Sequence, residues 1–252
     1  MIKADKSKWF NFIFYRYNLY YLLRRNFHSI RVRGEVDLEH KDQPVLYVMN
    51  HCSWWDGLII YHVTQSLSTL QHYMMMDEKQ MNHYGFFKRI GTFSIDKSSG
   101  KGIIESLQYA VDLLHEENQY GNGIWIFPQG EIYHLEDRPL RFYNGVGYVL
   151  ERSPHVQVVP VTIYYSLAHH QKTEVTLSFG QPIQEEWSKL GKKRSSIRLE
   201  NIVERQLNEH RRWVIHSIKE ELSLFRPVIR EGTSIHQTFD RFRGRNIDPP
   251  NV

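Results

Sequence analysis

The sequence is poor in cysteine and lacks long apolar runs. Cys52 is the only cysteine among 252 residues, which excludes an internal disulfide and is typical of a reducing compartment. No uninterrupted apolar run reaches the ~18 residues that a spanning helix needs, and no small-residue cleavage site of a secretory signal follows the aromatic N-terminal region. We therefore expect neither a disulfide-stapled fold nor a membrane-spanning helix.

Several common catalytic signatures are also missing. There is no G-x-S-x-G elbow and no phosphate-binding P-loop, which argues against a serine hydrolase and a nucleotide phosphotransferase. The 14 histidines form no H-E-x-x-H pair. His169 and His170, like the scattered His62, His72 and His83, lack Cys or carboxylate partners at ligand spacing. The sequence therefore predicts no metal site.

The charge balance is slightly basic. Lys and Arg number 32 against 28 acidic residues, giving a net charge of +4. A basic excess favours an anionic partner, either nucleic acid or a membrane surface. No nucleic-acid-binding motif accompanies it, so we expect a membrane surface and no nucleic-acid partner.

The N-terminal segment, residues 1–33, combines aromatic side chains with arginines. Such residues settle at a bilayer interface, where a ring is buried while a polar tip stays wet. We predict an interfacial helical segment that docks the protein peripherally on the cytoplasmic face of the cell membrane, the alternative being an ordinary core-packing helix. The residues concerned are Trp9, Phe10, Phe12, Phe14, Tyr15, Arg16, Tyr17, Tyr20, Tyr21, Arg24, Arg25, Arg31 and Arg33.

The rest of the chain reads as a single α/β domain over residues 34–225, with a mixed β-sheet covered by helices. Residues 226–252, rich in Arg, Gly, Asp, Asn and Pro, are predicted to be a flexible tail. The Met74–Met76 run is expected to line the core or an acyl groove, because Met fills irregular apolar space. Predicted strands are 45–49, 123–127, 157–165 and 174–180, and predicted helices are 102–117 and 196–222.

His51 and Asp56 form the most informative spacing in the chain. They follow the apolar strand Val45–Met49. Five residues along a helix turn the side-chain direction by roughly 500°, so the pair cannot share a helical face. We expect His51 in the turn after the strand and Asp56 in the first turn of a helix, where the helix dipole favours a carboxylate. Such a pair is a general base with its orienting carboxylate.

Two other interpretations of this region stay open at the level of the sequence. A structural hydrogen bond between a histidine and an aspartate near a strand end is common. Cys52 could act as a thiol nucleophile, although neighbouring residues rarely present their side chains to one another and cysteine is often simply buried.

Three further strings accompany the His51 string in a fixed order. They are Gly91–Lys97, Phe127–Glu131 and Val158–Ile163. Together the four strings resemble the four sequence blocks of the glycerolipid acyltransferase family, which includes the acylglycerol-phosphate acyltransferases. The resemblance covers residues 45 to 163.

The first block keeps the family pattern and the later blocks depart from it. Asn50, His51, Ser53 and Asp56 stand at their expected places. The second block usually ends Ile-Asp-Arg and here ends with Lys97, which loses the planar fork suited to phosphate.

The third block differs more strongly. It usually reads Phe-Pro-Glu-Gly-Thr-Arg-Ser, and here Gln129, Glu131, Ile132 and Tyr133 replace its Glu, Thr, Arg and Ser. Tyr143 stands where a later lysine is expected. These changes remove positive charge from the place where the family holds the acceptor phosphate. A neutral polyhydroxyl head group would suit the site, or else Arg138 or Arg141 supplies the phosphate contact.

The resemblance implies transfer of an acyl group from an acyl thioester, acyl-CoA or acyl carrier protein, to a hydroxyl of a membrane lipid. It implies no further cofactor. His51 would take the hydroxyl proton and Asp56 would orient it. The tetrahedral oxyanion would meet a backbone amide near Gly130 or the Lys97 ammonium. The substrate-binding residues would be Asn50, Ser53, Lys97, Gln129, Gly130 and Glu131.

Three functions remain open on this basis. The acceptor implied first is 1-acylglycerol-3-phosphate or another lysophospholipid, the commoner kind in the family. The second candidate is a glycosylated lipid such as a glucosyl carotenoid acid. A function of another class, a non-catalytic lipid-binding membrane protein, would be expected to lose His51 or Asp56, and both are present.

Overall fold

A mixed β-sheet runs through the protein. The computed structural model describes residues 1–37, 43–167, 170–216 and 224–229. In chain order the strands are β1 (Phe27–Arg33), β2 (Val45–Met49), β3 (Gln71–Asp77), β4 (Thr92–Ile95), β5 (Asn122–Ile126), β6 (Gln157–Ser166), β7 (Thr173–Phe179) and β8 (Arg226–Ile229). They form one eight-stranded sheet in the order β4-β3-β5-β2-β6-β7-β1-β8.

The sheet has a parallel half and a mixed half. Strands β4, β3, β5, β2 and β6 all run parallel to one another. β7 is antiparallel to β6, β1 is parallel to β7, and β8 is antiparallel to β1. The predicted α/β fold with a mixed sheet is therefore confirmed.

Helices cover both faces of the sheet. The predicted helices at 102–117 and 196–222 correspond to α5 (Gly100–His115) and α8 (Lys192–His216), although residues 217–222 lie outside the described part of the chain. Within that part, no helix is long and apolar enough to cross a bilayer. The helices are α1 (Lys8–Tyr17), a π-helical turn (Asn18–Leu23), α2 (Arg24–Asn26), α3 (Asp56–Leu67), α4 (Glu78–His83), a 3₁₀ segment (Gly85–Ile90), α5 (Gly100–His115), α6 (Gly145–Arg152), α7 (Trp187–Leu190) and α8 (Lys192–His216).

The central strands are buried on both faces, so successive side chains enter two different core layers. All five residues of β2 are buried, as expected for a parallel strand with helices on each side. Leu46 and Val48 pack with side chains of α5, α6 and α8. Tyr47 and Met49 pack on the opposite face with Ile59, Ile60 and Val63 of α3.

Two ends of the domain differ from the prediction. The helical N-terminal segment ends at Asn26, and Phe27–Arg33 is strand β1 rather than helix. Its mixed sequence, with His28, Ser29 and Arg31 between apolar residues, hides the strand pattern. Arg226–Ile229, assigned to the tail, is strand β8 and pairs with β1. Residues 230–252 of the predicted tail lie outside the described residues.

The parallel half brings the four sequence blocks together. Because β2, β3, β4 and β5 are parallel, their carboxyl ends meet at one edge of the sheet. The residues that follow Met49, Ile95 and Ile126 therefore share this edge. The functional site is to be sought here.

Candidate active site

His51 and Asp56 are paired at this edge. β2 ends at Met49 and α3 begins at Asp56, so the predicted strand–turn–helix geometry is confirmed. The His51 Nδ1 lies 2.8 Å from Asp56 Oδ2. An ionised carboxylate only accepts hydrogen bonds, so Nδ1 carries the proton and Nε2 is left as an acceptor. The imidazole is therefore arranged as a proton acceptor, and its catalytic role stays a prediction.

The Asp56 carboxylate is fully buried and held by four donors. Oδ2 also accepts the backbone amides of Cys52, at 2.8 Å, and Ser53, at 3.0 Å. The Tyr165 hydroxyl donates to Oδ1 at 2.6 Å. Asp56 is the first residue of α3, where the helix dipole favours an anion. These contacts fix the carboxylate beside the imidazole.

The His51 backbone and ring are held from neighbouring loops. Gln129 is buried, and its Oε1 accepts the His51 amide at 2.8 Å. The His51 carbonyl accepts the Tyr133 amide at 3.1 Å. The imidazole stacks on Phe127 with ring centroids 4.3 Å apart. Residues of the third sequence block therefore hold His51, which belongs to the first block, in place.

Asn50 and Ser53 serve the same turn. Asn50 is buried, and its amide bonds both the N–H and the carbonyl of Ile163 on β6, at 2.9 and 3.2 Å. Ser53 Oγ accepts the Trp55 amide at 3.2 Å. The structure thus places three predicted substrate-binding residues, Asn50, Ser53 and Gln129, in contacts that shape the turn around His51.

Cys52 lies in the same turn and is partly buried. Burial, together with the nearby Asp56 carboxylate, raises the pKa of the Cys52 thiol well above its usual range. A thiol, unlike a thiolate, is a poor nucleophile. The geometry therefore disfavours the thiol-nucleophile interpretation.

A largely apolar cavity of about 920 Å³ opens from His51. It extends along β3 from Asp77, the last residue of the strand, to His72 near its start. Five residues of strand span ~16 Å. Met74, Met75 and Met76 all line this cavity, as do apolar residues of α3 and the 3₁₀ segment.

The mouth of the cavity carries the remaining predicted residues. Lys97 Nζ donates to the Gly130 carbonyl at 2.6 Å and lies 3.1 Å from an Asp77 carboxylate oxygen. Gly130 has φ +73°, and an added Cβ would lie 3.0 Å from the Tyr143 ring. Its amide donates to the Phe127 carbonyl at 3.0 Å, closing a turn. In this arrangement the Gly130 amide is not available to an oxyanion, whereas Lys97 and Glu131 both face the cavity.

Comparison with known proteins identifies the family. The family model described as Acyltransferase matches residues 29–164, more than half of the chain. The chain belongs to the acyltransferase family. The acyltransferase family predicted from the four sequence blocks is thereby confirmed, and the protein is an acyltransferase.

A solved structure has a similar fold. It is the crystal structure of the 1-acyl-sn-glycerophosphate (LPA) acyltransferase PlsC from Thermotoga maritima, with a TM-score of 0.52 and 17% sequence identity. The match covers 81% of this chain and 93% of that chain. At this identity the similarity shows the fold alone. No curated protein sequence matches the acyltransferase significantly.

Sequence reasoning missed Tyr165, whose hydroxyl contacts the catalytic candidate Asp56 from 109 positions along the chain. It also did not group His28, His170 and Glu174, whose possible ligand atoms lie within 4.8 Å of one another. The two imidazoles stack with centroids 3.5 Å apart and 14° between their planes. Their in-plane lone pairs therefore run side by side, which is a poor arrangement for a tetrahedral metal site.

Proposed function

We propose that this acyltransferase moves a fatty acyl group from an acyl thioester, acyl-CoA or acyl carrier protein, to a hydroxyl of a lysophospholipid-type acceptor. The first candidate acceptor is 1-acylglycerol-3-phosphate. The observation that carries the proposal is the His51–Asp56 pair, 2.8 Å apart, in which His51 lines an apolar cavity. A base that faces apolar space suits a reaction between a hydroxyl and a fatty acyl group.

The proposed reaction uses the His51 Nε2 atom, which is left as a proton acceptor. His51 Nε2 takes the hydroxyl proton while the acceptor oxygen bonds to the thioester carbonyl carbon. The carbon–sulfur bond then breaks, and the imidazolium returns the proton to the departing thiolate. Asp56 stabilises the imidazolium between the two steps. No covalent acyl-enzyme is needed.

The cavity supports a fatty acyl substrate. Its walls are mainly apolar, and it follows ~16 Å of β3. The methionines of β3 are unbranched and flexible, so they can adapt to a hydrocarbon chain. The acyl chain would lie along β3 with its thioester carbonyl beside His51.

A glycosylated lipid is the second candidate acceptor, favoured by the charges at the mouth. The cavity lining has two lysines, Lys79 and Lys97, and two acids, Asp77 and Glu131, with no arginine among the described lining residues. Lys97 is already paired with Asp77. A phosphate dianion is held mainly by charge-assisted hydrogen bonds, and Glu131 would oppose it.

Arg138, one of the two arginines named as a substitute phosphate contact, has other partners. The Arg138 guanidinium donates to the carbonyls of Leu135, at 2.7 Å, and Asp137, at 2.8 Å. It also contacts the side chain of Asn208 on α8 at 3.3 Å. These contacts favour a structural role for Arg138.

We further propose that the acyltransferase binds peripherally to the cytoplasmic face of the cell membrane. Trp9 is 73% exposed, Phe12 59% and Tyr21 56%, which supports an aromatic surface at the level of the lipid head groups. The Arg16 guanidinium lies over the Phe12 ring at 3.9 Å, and Arg25 over the Tyr21 ring at 4.5 Å. Each pair offers an apolar ring together with a charge for an anionic lipid.

The same segment is tied firmly to the domain. Phe14 is buried in contact with Tyr61, at a centroid distance of 5.2 Å. The Asn11 side chain bonds Gln65 at 2.6 Å, and the Asn18 side chain bonds the Leu58 carbonyl at 2.9 Å. These contacts also hold α3, so removal of the whole segment would disturb the domain. The membrane test therefore uses point substitutions of exposed residues.

The acyl-transfer test uses the purified protein with radiolabelled acyl-CoA or acyl carrier protein. Lysophosphatidate and a glycosyl lipid are offered separately, and a product carrying one additional acyl group is expected with at least one of them. A folded protein that binds vesicles and transfers no acyl group to either acceptor would favour the non-catalytic lipid-binding function instead.

The membrane test compares sedimentation with anionic vesicles. The double variant Trp9→Ser, Phe12→Ser should lose binding several-fold, whereas Ile197→Ser, at an exposed position of α8, should not. Added salt should weaken wild-type binding through its arginine and lysine contribution. Equal sedimentation of the double variant and wild type would contradict the proposal.

A further inference from the structure

The two oxygens of the Asp56 carboxylate accept different numbers of hydrogen bonds. Oδ2 accepts three hydrogen bonds, from His51 Nδ1 and from the amides of Cys52 and Ser53. All three belong to the turn between β2 and α3. Oδ1 accepts the Tyr165 hydroxyl at 2.6 Å. Tyr165 is therefore the contact that ties this carboxylate to another part of the fold.

The sheet brings Tyr165 to this place. β6 pairs with β2 in parallel, with Met49 opposite Val161. The Asn50 side chain extends this pairing by binding the backbone of Ile163. Two residues farther along β6, Tyr165 points to the same face as Ile163 and reaches the start of α3. Its ring packs near Phe27, at a centroid distance of 6.2 Å.

We propose that Tyr165 is a positioning residue for the base, acting through Asp56 by binding Oδ1 and so keeping Oδ2 directed at His51 Nδ1. This inference rests on the proposed acyl transfer, because it assigns the residue that holds the base of that reaction. Tyr165 itself is not assigned a contact with substrate.

Two physical reasons support this role. A buried carboxylate oxygen without a donor carries a large desolvation cost, and the Tyr165 hydroxyl removes it. Burial and the adjacent Asp56 carboxylate also raise the pKa of Tyr165. The phenol therefore keeps its proton and remains a donor throughout the range in which a histidine base operates.

The chain offers a matched control in the preceding residue. Tyr164 lies on the same strand, and its hydroxyl also donates to a carboxylate, that of Glu136, at 2.8 Å. Its side chain points to the opposite face of the sheet, where it belongs to the other core layer. Tyr164→Phe therefore removes the same atom and the same kind of bond without touching Asp56.

The activity experiment compares Tyr165→Phe with Tyr164→Phe. Tyr165→Phe should lower kcat by roughly 10-fold to 100-fold, the range expected for one lost hydrogen bond to a charged group. KM should stay near the wild-type value, because no substrate contact is removed. In an Asp56→Asn background the same substitution should add little, since the two residues act as one unit.

The pH dependence provides a second measurement. The titratable and charged groups around Asp56 in the described chain are His51, Cys52 and Tyr165, with Arg138 close enough to influence Cys52. An anion with one donor fewer attracts a proton more strongly, to itself or to the imidazole beside it. The acidic limb of kcat/KM should therefore move to higher pH in Tyr165→Phe and not in Tyr164→Phe.

The effect of Tyr165→Phe on proton binding at the dyad can also be measured without turnover. The His51 ring signals are followed against pH by NMR in the substrate-free protein. If the wild-type protein transfers no acyl group, the proposed function fails, while the NMR comparison still tests Tyr165. If the wild type is active and Tyr165→Phe matches Tyr164→Phe in kcat, pH profile and His51 titration, the positioning role is wrong.

Discussion

The surroundings of the His51–Asp56 pair and the mouth of the cavity are built differently. Around the base, Asp56 is fully buried with four donors, and the buried Gln129 holds the His51 amide. At the cavity mouth, Ile132 is 51% exposed and Tyr143 63% exposed. Proton transfer depends on sub-ångström placement of a few atoms. Recognition of a head group on a loop tolerates replacement of side chains, because the fold does not depend on them.

This contrast accounts for the exposed departures from the family pattern, whereas Gln129, which replaces a glutamate, lies in the buried support of His51. The first block, inside the supported region, keeps Asn50, His51, Ser53 and Asp56. The replaced positions include Ile132 and Tyr143, which are exposed at the mouth. Substitutions near the dyad should therefore change the rate for every acceptor. Substitutions at the mouth should change the choice between acceptors.

The largest expected effect is at the base. His51→Ala should lower kcat by about 10² to 10⁴, as expected for loss of a general base, while the protein stays folded. Asp56→Asn should be equally or less severe, because the pair acts as a unit. His155→Ala, at an exposed histidine outside the site, is the control. Near-normal turnover of a folded His51→Ala protein would refute the base assignment.

The next effect concerns the residue that holds the His51 backbone. Gln129→Leu leaves the His51 amide without its acceptor, which costs ~1–3 kcal/mol for a buried group. We expect a lower melting temperature together with a fall in kcat. Gln129→Glu keeps an acceptor for the His51 amide and should retain more kcat than Gln129→Leu, while its buried carboxylate also lowers the melting temperature. If the Leu and Glu variants are indistinguishable, Gln129 does not support the base.

A smaller and selective effect is expected at the mouth. Glu131→Arg should raise the ratio of kcat/KM for lysophosphatidate over a glycosyl lipid about tenfold, because a repulsion is replaced by a charge-assisted bond. The melting temperature should not change. Equal loss of activity on both acceptors would mean that Glu131 belongs to the catalytic end rather than to the mouth.

Substitution of Lys97 tests which kind of acceptor the protein uses. If the natural acceptor carries a phosphate, Lys97→Ala should cost about 1.5 to 3 kcal/mol in kcat/KM, typical for a lost hydrogen bond to a charged group. If the head group is neutral, the cost should be similar for both acceptors and smaller. A wild-type protein that strongly prefers lysophosphatidate would contradict the neutral head group.

The smallest effect is expected at Cys52. Burial and Asp56 raise the pKa of its thiol, so little thiolate forms near neutral pH and Cys52→Ala should retain turnover within a few-fold. Wild-type activity should also resist iodoacetamide. If Cys52→Ala loses as much turnover as His51→Ala while its melting temperature is unchanged, Cys52 acts as the nucleophile.

The local part of the site follows from the sequence alone. An all-apolar strand, a short turn and a carboxylate at the start of a helix are consecutive in the chain, so their geometry depends on backbone rules and the helix dipole. His51 and Asp56 could therefore be paired before any tertiary contact was known. The strands β2, β5, β6 and β7 and the helices α5 and α8 were predictable for the same reason.

Tertiary structure decided what surrounds the pair. Tyr165 and Gln129 lie 109 and 78 positions from their partners, and nothing in their local sequence marks them as supports for the dyad. β1 and β8 are short or polar strands whose identity depends on pairing with each other and with β7. The cavity along β3 is likewise lined by residues of α3, the 3₁₀ segment and the loops after β5, which only the folded chain brings together. Long-range packing, which no local pattern encodes, determines how the base is held and what it faces.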